Sequence, residues 1–478
     1  MIATASTIRP ATIAAPRFAW TQAILLAAYL AVSAIAAAVL LARVTQPQFG
    51  GAGDLNAALW TMLVGSVSSA SCAILGCYLV LRRMSLLGDA ISHAVLPGIV
   101  VGFLASGSMT GWPIFLGAMA LGVLTSVLAH GLTSLGRVSE DSSLGVVFTS
   151  LFAVGVILIP RNADLDASCV LYGDIVTAAV DWQSIGGWQV SRPLITLVPT
   201  LLLVLLFVAI LWKELKIVAF DSELAAAMGF RVAVVHYLLM AMVSGVTVAS
   251  FESVGSILVV AMLVVPAAAA QQLTERLNWM MAWAVAIGVT SAVFGYLIAV
   301  PLATSVAGAM AVVAGIQFAA AIFLAPRTGL VSRWLRNQAL AVRIASEDVL
   351  ARLYRAEEQG RVPGSGFRVQ ELPTSHRFVI DWIARWRLFR AGWIESVGAG
   401  VLQLTSDGRG AARSLIRAHR LWESYLDAHF DLPRDHLHEA AERMEHYLGA
   451  ELQEELATEL ADRAVDPHGK IIPPKNPL

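Results

Sequence analysis

Long apolar runs separated by short polar segments dominate the first two thirds of the chain. A run of about 20 apolar residues is long enough to cross the hydrocarbon core of a bilayer as an α-helix. The predicted spanning helices are residues 20–42, 59–81, 88–106, 112–135, 143–160, 193–212, 232–250, 253–273, 279–300 and 302–325. The pattern therefore predicts an all-α polytopic membrane bundle.

The pattern changes at Pro326. Beyond this residue Arg, Glu, Asp and His become frequent, and no further apolar run of spanning length occurs. We predict a membrane domain at residues 1–326, a basic juxtamembrane connector at 327–343 and a small, mostly helical soluble domain at 344–478.

Composition and charge placement add an orientation. Of the 478 residues, 57% are hydrophobic and 14% are charged, and the mean hydropathy is +0.70, which excludes an ordinary soluble protein. Lys and Arg concentrate in cytosolic loops of membrane proteins. Most of those between the predicted spans fall on one side if both termini are cytosolic, with Arg43 and Arg161 as exceptions. We therefore expect the soluble domain to lie in the cytosol.

Two ionisable residues interrupt the third predicted span. Asp89 and His93 are four residues apart and so share one face of a helix. Ionisable side chains are costly inside a membrane and usually mark an ion path. A carboxylate and an imidazole together can bind Mn²⁺, Zn²⁺ or Fe²⁺. The alternative is a buried polar pair that bonds to a neighbouring helix.

Three stretches of the membrane domain together resemble a known family. They are RRMSLLGDAISHAVLPG at 82–98, ELKIVAFDSELAAAMG at 214–229 and VGSILVVAMLVVPA at 254–267. In this order and spacing they resemble the permeases of ATP-binding-cassette importers for manganese, zinc and iron. The resemblance implies that Asp89 and His93 line the translocation path and coordinate the ion. It also implies a multi-pass protein of the bacterial cytoplasmic membrane.

The second stretch lies in a predicted cytosolic loop. Asp221 and Glu223 precede a small-residue helix that ends at Gly229, and Asp221 is predicted to cap this helix. A short helix of this kind suits docking into a groove of a partner. The resemblance implies that Asp221, Glu223, Ala225 and Gly229 belong to a segment that couples the permease to an ATPase. The alternative is a solvated loop helix.

Several partners follow from these observations. The chain contains no Gly-x-x-x-x-Gly-Lys-Ser/Thr phosphate loop, so we expect ATP hydrolysis on a separate cytosolic subunit. The resemblance also implies an extracytoplasmic solute-binding protein and a second permease subunit, identical or related. We expect no covalent chemistry from this chain and no organic cofactor.

The soluble domain carries a second set of candidate ligands. Six His and Glu side chains lie at helical spacings on two adjacent predicted helices: His419, Glu423, His438, Glu442, Glu445 and His446. On a continuous helix the last four would project from one face. Side chains of these types at these spacings indicate a metal site, and the alternative is a pair of solvated, charge-rich helices.

The same domain resembles iron- and manganese-dependent repressors of the diphtheria-toxin-repressor type. The segments that carry this likeness are HRLWESYL at 419–426, the run 438–446 and DPHGKIIP at 466–473. The resemblance implies a degenerate winged helix at 344–412 and metal-binding helices at 413–478.

The resemblance also implies that the six side chains bind metal together with Asp348. Glu442 stands where iron-type members carry Cys, and a hard carboxylate favours Mn²⁺ over softer metals. Ala351 stands where the manganese type carries an acid, so one ligand of that type is missing.

The DNA-binding part departs from that family. Residues 374–390 are predicted to form the recognition helix and 401–409 a wing. Trp382, Trp386 and Phe389 are interpreted as packing residues rather than as readers of base edges. DNA is therefore an unfavoured partner, although arginines of this helix can contact phosphates.

Together these patterns indicate the transmembrane subunit of an ATP-driven importer of divalent transition metal, with manganese favoured. We add the hypothesis that the cytosolic domain binds the imported metal as a regulatory ligand and inhibits transport when loaded. Three alternatives stay open: a membrane-tethered metal-dependent transcriptional regulator, an importer of zinc or iron, and an ion-coupled secondary carrier.

Overall fold

The computed structural model describes most of the chain, in several segments. They are residues 15–44, 55–84, 87–106, 112–136, 138–158, 175–185, 188–326, 328–359, 367–368, 378–396, 401–430, 433–461 and 463–474. The chain divides into two compact units, Met1–Ser332 and Arg333–Leu478, and each is described by itself. The predicted three-part division of the chain remains a prediction.

In the described part of the first unit, every element is a helix except for one short hairpin. Its helices are α1 (Ala15–Val44), α2 (Leu55–Leu81), α3 (Leu87–Ala94), α4 (Leu96–Ser106), α5 (Trp112–Gly136), α6 (Glu140–Leu158), α7 (Ile175–Ala179), α8 (Arg192–Ile210), α9 (Trp212–Phe220), α10 (Ser222–Ala227), α11 (Val232–Val254), α12 (Ser256–Leu273), α13 (Leu277–Leu302) and α14 (Val306–Leu324). The hairpin pairs β1 (Trp182–Ile185) with β2 (Trp188–Ser191) in antiparallel register.

Ten candidate spans are present among the described residues, which confirms the predicted bundle. Helices α3 and α4 together make one span, from Gly88 to Ser106, and the other nine are single helices. The observed ends differ from the predicted ones by a few residues, because hydropathy locates the apolar run but not the last turn of a helix.

Small residues allow the spanning helices to approach each other closely. A Cβ on Gly76 of α2 would lie 1.8 Å from the carbonyl oxygen of Leu263 in α12. Gly98 of α4 and Gly117 of α5 face each other, and a Cβ on either would lie within about 2.5 Å of the other's carbonyl oxygen. Since lipid provides no hydrophobic drive between helices, such close contact is a main source of their association.

The second unit combines helices with a small sheet. Its elements are α15 (Leu330–Glu358), in which the boundary between the units falls, β3 (Phe367–Arg368), α16 (Phe378–Arg390), β4 (Ile394–Ser396), β5 (Val401–Leu404), α17 (Ser406–His429), α18 (Arg434–Met444) and α19 (Ala450–Glu459). The three strands are antiparallel in the order β3-β5-β4.

Two small apolar cores hold this unit together. The first joins α15, α16, the sheet and the start of α17, through residues that include Leu353, Leu388 and Leu404. The second joins α17 to α19 and the segment near Ile472. The first core lies within the residues expected to form a degenerate winged helix, and the second lies beside the candidate metal ligands.

Three predictions for this unit need correction. The predicted wing ends at Leu404, because the Thr405 hydroxyl accepts a hydrogen bond from the Gly408 amide and starts α17 at Ser406. The predicted continuous helix over 438–446 ends at Met444, where the chain tightens into a turn. The start of the predicted recognition helix is not among these corrections, because it lies outside the described residues, which resume at Phe378.

The third correction concerns the aromatic residues of α16. Trp382, Trp386 and Phe389 are exposed, so they do not pack into the core as predicted. The residues of α16 that do pack are Ile380, Ala384 and Leu388, on its opposite face. The interpretation of these aromatic residues rested on residue type alone, which does not show which side of the helix faces the interior.

Candidate metal sites

The structure brings the predicted intramembrane pair together on α3. His93 Nε2 lies 3.6 Å from Asp89 Oδ1, and the side chains are 34% and 47% exposed, respectively. The His93 ring contacts the rings of Phe148 and Phe152 in α6, with centroids 6.0 and 5.7 Å away. A carboxylate and an imidazole thus lie side by side, open to an ion on one side and held against aromatic rings on the other.

A break in the span follows directly after this pair. Pro97 has no N–H to donate to the carbonyl of His93 four residues earlier, and α3 ends at Ala94 while α4 begins at Leu96. The carbonyl of His93 therefore loses its usual helical partner. The break is short, because the Val95 amide still donates to the Ile91 carbonyl and the Ile99 amide to the Val95 carbonyl, so Pro97 frees the His93 carbonyl without unwinding the span.

The predicted cap of α10 is confirmed. Asp221 Oδ1 accepts hydrogen bonds from the amides of Glu223 and Leu224, at 3.0 and 2.9 Å. Ala225 is fully buried, whereas Leu224 and Met228 are exposed. The left-handed backbone at Gly229, with φ of +86°, ends the segment. The result is a short capped helix that presents two large apolar side chains.

In the second unit, three ligand atoms converge on one point. His419 Nε2, Glu423 Oε1 and His438 Nδ1 lie 3.0 Å from each other in all three pairs. His419 and Glu423 are one turn apart on α17 and buried, and exposed His438 reaches them from α18. We call these three residues cluster A.

A second group forms next to it. Asp348, Glu445 and His446 also place one ligand atom each within 4.8 Å of one another, and we call them cluster B. His446 Nε2 lies 3.3 Å from Asp348 Oδ1. Its Nδ1 lies 2.7 Å from Glu347 Oε2, a contact that fixes the ring. The predicted ligand Asp348 is thus brought to His446 from α15, far away in sequence.

The atoms between the two clusters suit a metal. His419 Nδ1 and Glu445 Oε2 lie 2.6 Å apart in the interior without hydrogen-bond geometry, and Glu445 Oε2 also lies 3.5 Å from a guanidinium nitrogen of Arg355. Buried polar atoms without a hydrogen bond are costly in a folded protein. Imidazole nitrogens and carboxylate oxygens are donors that Mn²⁺, Fe²⁺ and Zn²⁺ accept, so the residues present fit a divalent cation.

One predicted ligand stands apart. Glu442 is exposed and belongs to none of the ligand groups found among the described residues. The cause is the end of α18 at Met444, since the turn that follows directs Glu445 and His446 toward α15 instead of along the face of His438. The four residues predicted to share one helical face, at positions 438, 442, 445 and 446, therefore do not form one stripe.

Sequence reasoning missed two contributors near cluster A. Asp466 and His468 form a third group with Glu423, whose Oε2 lies 3.7 Å from His468 Nδ1. Asp466 Oδ1 accepts hydrogen bonds from the amides of His468 and Lys470, which orders the loop. The Asp-Pro-His order within 466–473 was the available signal, because it places two ligand types two residues apart.

Proton equilibria of these residues depend on the clusters. Burial alone would lower the pKa of His446, but hydrogen bonds to Asp348 and Glu347 outweigh it and raise the pKa to about 9. Burial alone would also lower the pKa of His419, but its contacts with Glu423 and Glu445 outweigh burial and raise the pKa. Burial would raise the pKa of Glu423, but its contact with His419 lowers it to about 2. Without metal, the His446 imidazole thus holds a proton at neutral pH.

Metal binding is expected to release protons and to strengthen as pH rises toward about 9. The reason is that a metal needs the neutral imidazole, whereas the metal-free protein keeps His446 protonated. The same shift means that His446 stabilises the metal-free fold below pH 6.5 and that this contribution is lost as pH rises through about 9. Calorimetry of Mn²⁺ binding in buffers of different ionisation enthalpy measures the number of protons released. Binding without proton release would contradict the expectation.

Replacing Glu423 with Gln is expected to weaken Mn²⁺ binding by at least about tenfold, because even an outer partner of a metal ligand contributes roughly 10- to 100-fold. The measurement is Mn²⁺ titration of the full chain carrying Asp89→Asn, so that the intramembrane pair does not contribute. Glu451→Gln is the matched control, since Glu451 is exposed on α19 outside the clusters. Equal affinities of the two variants would remove Glu423 from the site.

Comparison with known proteins finds a matching family for each of the two units. The model of the ABC 3 transport family matches residues 54–325, more than half of the chain. The chain belongs to this family. The model of the iron dependent repressor, metal binding and dimerisation domain matches residues 405–474, which contain α17 to α19. Both predicted resemblances are thereby confirmed.

Several characterised transport proteins of this type are similar to the chain. The manganese transport system membrane protein MntD of Bacillus subtilis is 44% identical over 58% of this chain and 95% of its own length. The zinc transport system membrane protein TroD of Treponema pallidum is 36% identical over 74% of this chain and 98% of its own length. The chelated iron transport system membrane protein YfeC of Yersinia pestis is 30% identical over 59% of this chain and 90% of its own length. The permease family therefore includes members named for three different metals.

Proposed function

We propose that this ABC 3 permease is the transmembrane subunit of an ATP-driven importer with manganese as its cargo. The observation that carries the proposal is the paired carboxylate and imidazole of Asp89 and His93 in a broken span. Divalent ions are strongly hydrated, so a path through the bilayer must offer replacement ligands. The pair supplies an oxygen and a nitrogen as such ligands.

Manganese is favoured by the hardness of the ligands. Clusters A and B contain carboxylates and imidazoles, and no cysteine belongs to a ligand group among the described residues. Carboxylate-rich sites suit Mn²⁺, whereas thiolates favour zinc and other softer ions. If the cytosolic unit responds to the cargo, its ligand set indicates which cargo that is. Zinc and iron remain the alternative cargoes, as the names of the relatives TroD and YfeC illustrate.

ATP hydrolysis is assigned to a separate subunit that docks on α10. The capped helix exposes Leu224 and Met228, and apolar side chains on a short helix are suitable anchors in a groove of a partner. A solute-binding protein would deliver the ion on the opposite side, and a second permease subunit would complete the path. On this view the second unit lies in the cytosol.

The second unit is proposed to sense the imported metal. Ligands from α15, α17 and α18 meet in clusters A and B, so a bound cation would tie these helices together. The tied state would inhibit transport if the metal binds it more tightly than the transporting state. Feedback of this kind places the sensor where the product of transport accumulates.

Uptake of radioactive manganese, zinc and iron tests the proposed cargo. Cells that lack their own importers would express the chain with its ATPase and solute-binding protein. We expect manganese uptake at the lowest external concentration and weak competition by zinc or iron. Saturation by zinc or iron at lower concentration would reassign the cargo, and uptake that persists without the ATPase would indicate an ion-coupled carrier.

A further inference from the structure

Helix α16 exposes a continuous apolar stripe that nothing described in the protein covers. Its members follow each other at spacings of three, four and three residues, and are 64%, 58%, 51% and 42% exposed: Val379, Trp382, Trp386 and Phe389. Large apolar side chains in such a row are unusual on a surface that faces only water. We call these four residues the α16 face.

The α16 face is edged by positive charge. Helix α16 contains Arg385, Arg387 and Arg390 but a single acid, Asp381. The guanidinium of Arg390 lies 5.2 Å from the centre of the Trp386 ring, within cation–π range. An indole-rich surface with arginines at its border combines apolar contact with attraction to anions.

We propose that the α16 face docks onto the anionic lipid surface of the bilayer that this same chain spans. Tryptophan is enriched at the membrane–water interface, where its apolar ring and its N–H are both accommodated. Arginines near an anionic leaflet add electrostatic attraction. The bilayer is always available as a partner, because ten candidate spans belong to the same polypeptide.

The start of α15 carries the same combination of apolar and basic side chains, and its place in the sequence keeps it close to the last candidate span. Leu330, Trp334 and Leu335 are exposed, and Arg333 and Arg336 alternate with them. Only residues 325–329 separate this stretch from the last candidate span, so it must lie near the bilayer surface. The chain thus uses tryptophan, leucine and arginine together at its own interface, and α16 repeats the combination.

Other occupants fit the α16 face less well. Readers of DNA bases need Arg, Asn or Gln directed at the groove, whereas the exposed row here consists of indole, phenyl and isopropyl groups. A second copy would cover the apolar row but would leave the excess of arginines over acids, three against one on each helix, without an anionic partner. A lipid surface satisfies the apolar row and the charges at once.

Spin labels on the full chain in lipid nanodiscs test the proposal. The label is placed at Val379→Cys, and the matched control is Ala428→Cys, which is exposed on α17. Cys72 and Cys77 are buried and can stay, and Cys169, outside the described residues, is replaced by Ser. Collision with oxygen, which concentrates in lipid, is compared with collision with a nickel chelate, which stays in water.

In discs of phosphatidylcholine and phosphatidylglycerol, we expect the label at 379 to favour oxygen several-fold over the chelate and the label at 428 to favour the chelate. Arg387→Glu and Arg390→Glu should each weaken docking by at least about fivefold, and removal of phosphatidylglycerol should weaken it more than either substitution, because it removes the anionic partner of every arginine. Chelate access at 379 equal to that at 428 would overturn the proposal. Three other outcomes would also overturn it. Shielding of the label from both reagents would indicate a protein partner, and dipolar broadening between labels of two chains would indicate a second copy. Shielding that appears only when DNA is added would indicate nucleic acid.

Discussion

Metal uptake by the Asp89→Asn chain is expected to fall to the level of cells that lack the permease. Asparagine has nearly the same shape as aspartate but no charge, so the variant removes the anionic ligand without disturbing α3. On the proposed path the ion would then lose its anionic ligand at this point, and desolvation of an unpaired charge costs several kcal/mol in a low-dielectric environment. His93→Ala is expected to give a comparable loss, because the two side chains act 3.6 Å apart as one site.

The measurement is metal uptake normalised to the amount of chain in the membrane. Asp141→Asn is the matched control, since Asp141 is an exposed acid at the start of α6. We expect the control to transport normally and the double variant to be no worse than either single variant. Normal uptake by Asp89→Asn at normal expression would remove the pair from the path.

Asp221→Lys is expected to abolish ATP-driven uptake while leaving the chain in the membrane. Asp221 caps α10, a helix of six residues, by accepting two amide hydrogen bonds. Loss of such a cap costs about 1 kcal/mol, and a lysine places positive charge at the positive end of the helix. The short helix would lose its shape, and Leu224 and Met228 would no longer be held for docking.

The readouts are co-purification of the ATPase and transport-coupled ATP hydrolysis. Asp221→Ser is the matched control, because a serine hydroxyl can also cap a helix, and we expect it to keep most of the activity. If the lysine variant binds the ATPase and transports as the native chain does, α10 is not the coupling element. If both variants fail equally, the carboxylate itself is needed and the capping explanation is wrong.

The features predicted correctly from the sequence are those governed by local chemistry. Bilayer thickness fixes the length of a span, so ten apolar runs were sufficient to predict ten candidate spans. The cap at Asp221 depends on three neighbouring residues and was equally accessible. Asp89 and His93 share a helical face because they are four residues apart, and the structure brings them together.

The features that were wrong or missed depend on distant segments. Glu445 and His446 leave the helical pattern because α18 ends at Met444 and the turn meets α15. Glu347 and His468 reach the clusters from segments whose approach no local pattern reveals. Trp382 and Trp386 are apolar, and only the packing of Ile380 and Leu388 shows that the tryptophans lie on the outer side.

In the proposed function, one chain both imports a metal and senses it. The most direct test measures transport at a controlled concentration of metal on the cytosolic side. Proteoliposomes would contain the chain with its ATPase, ATP and a set Mn²⁺ concentration inside, with the loaded solute-binding protein outside. We predict that uptake by the native chain slows as internal Mn²⁺ rises, whereas uptake by His446→Ala stays fast. Identical slowing of both proteins, or slowing of neither, would contradict a sensor built from clusters A and B.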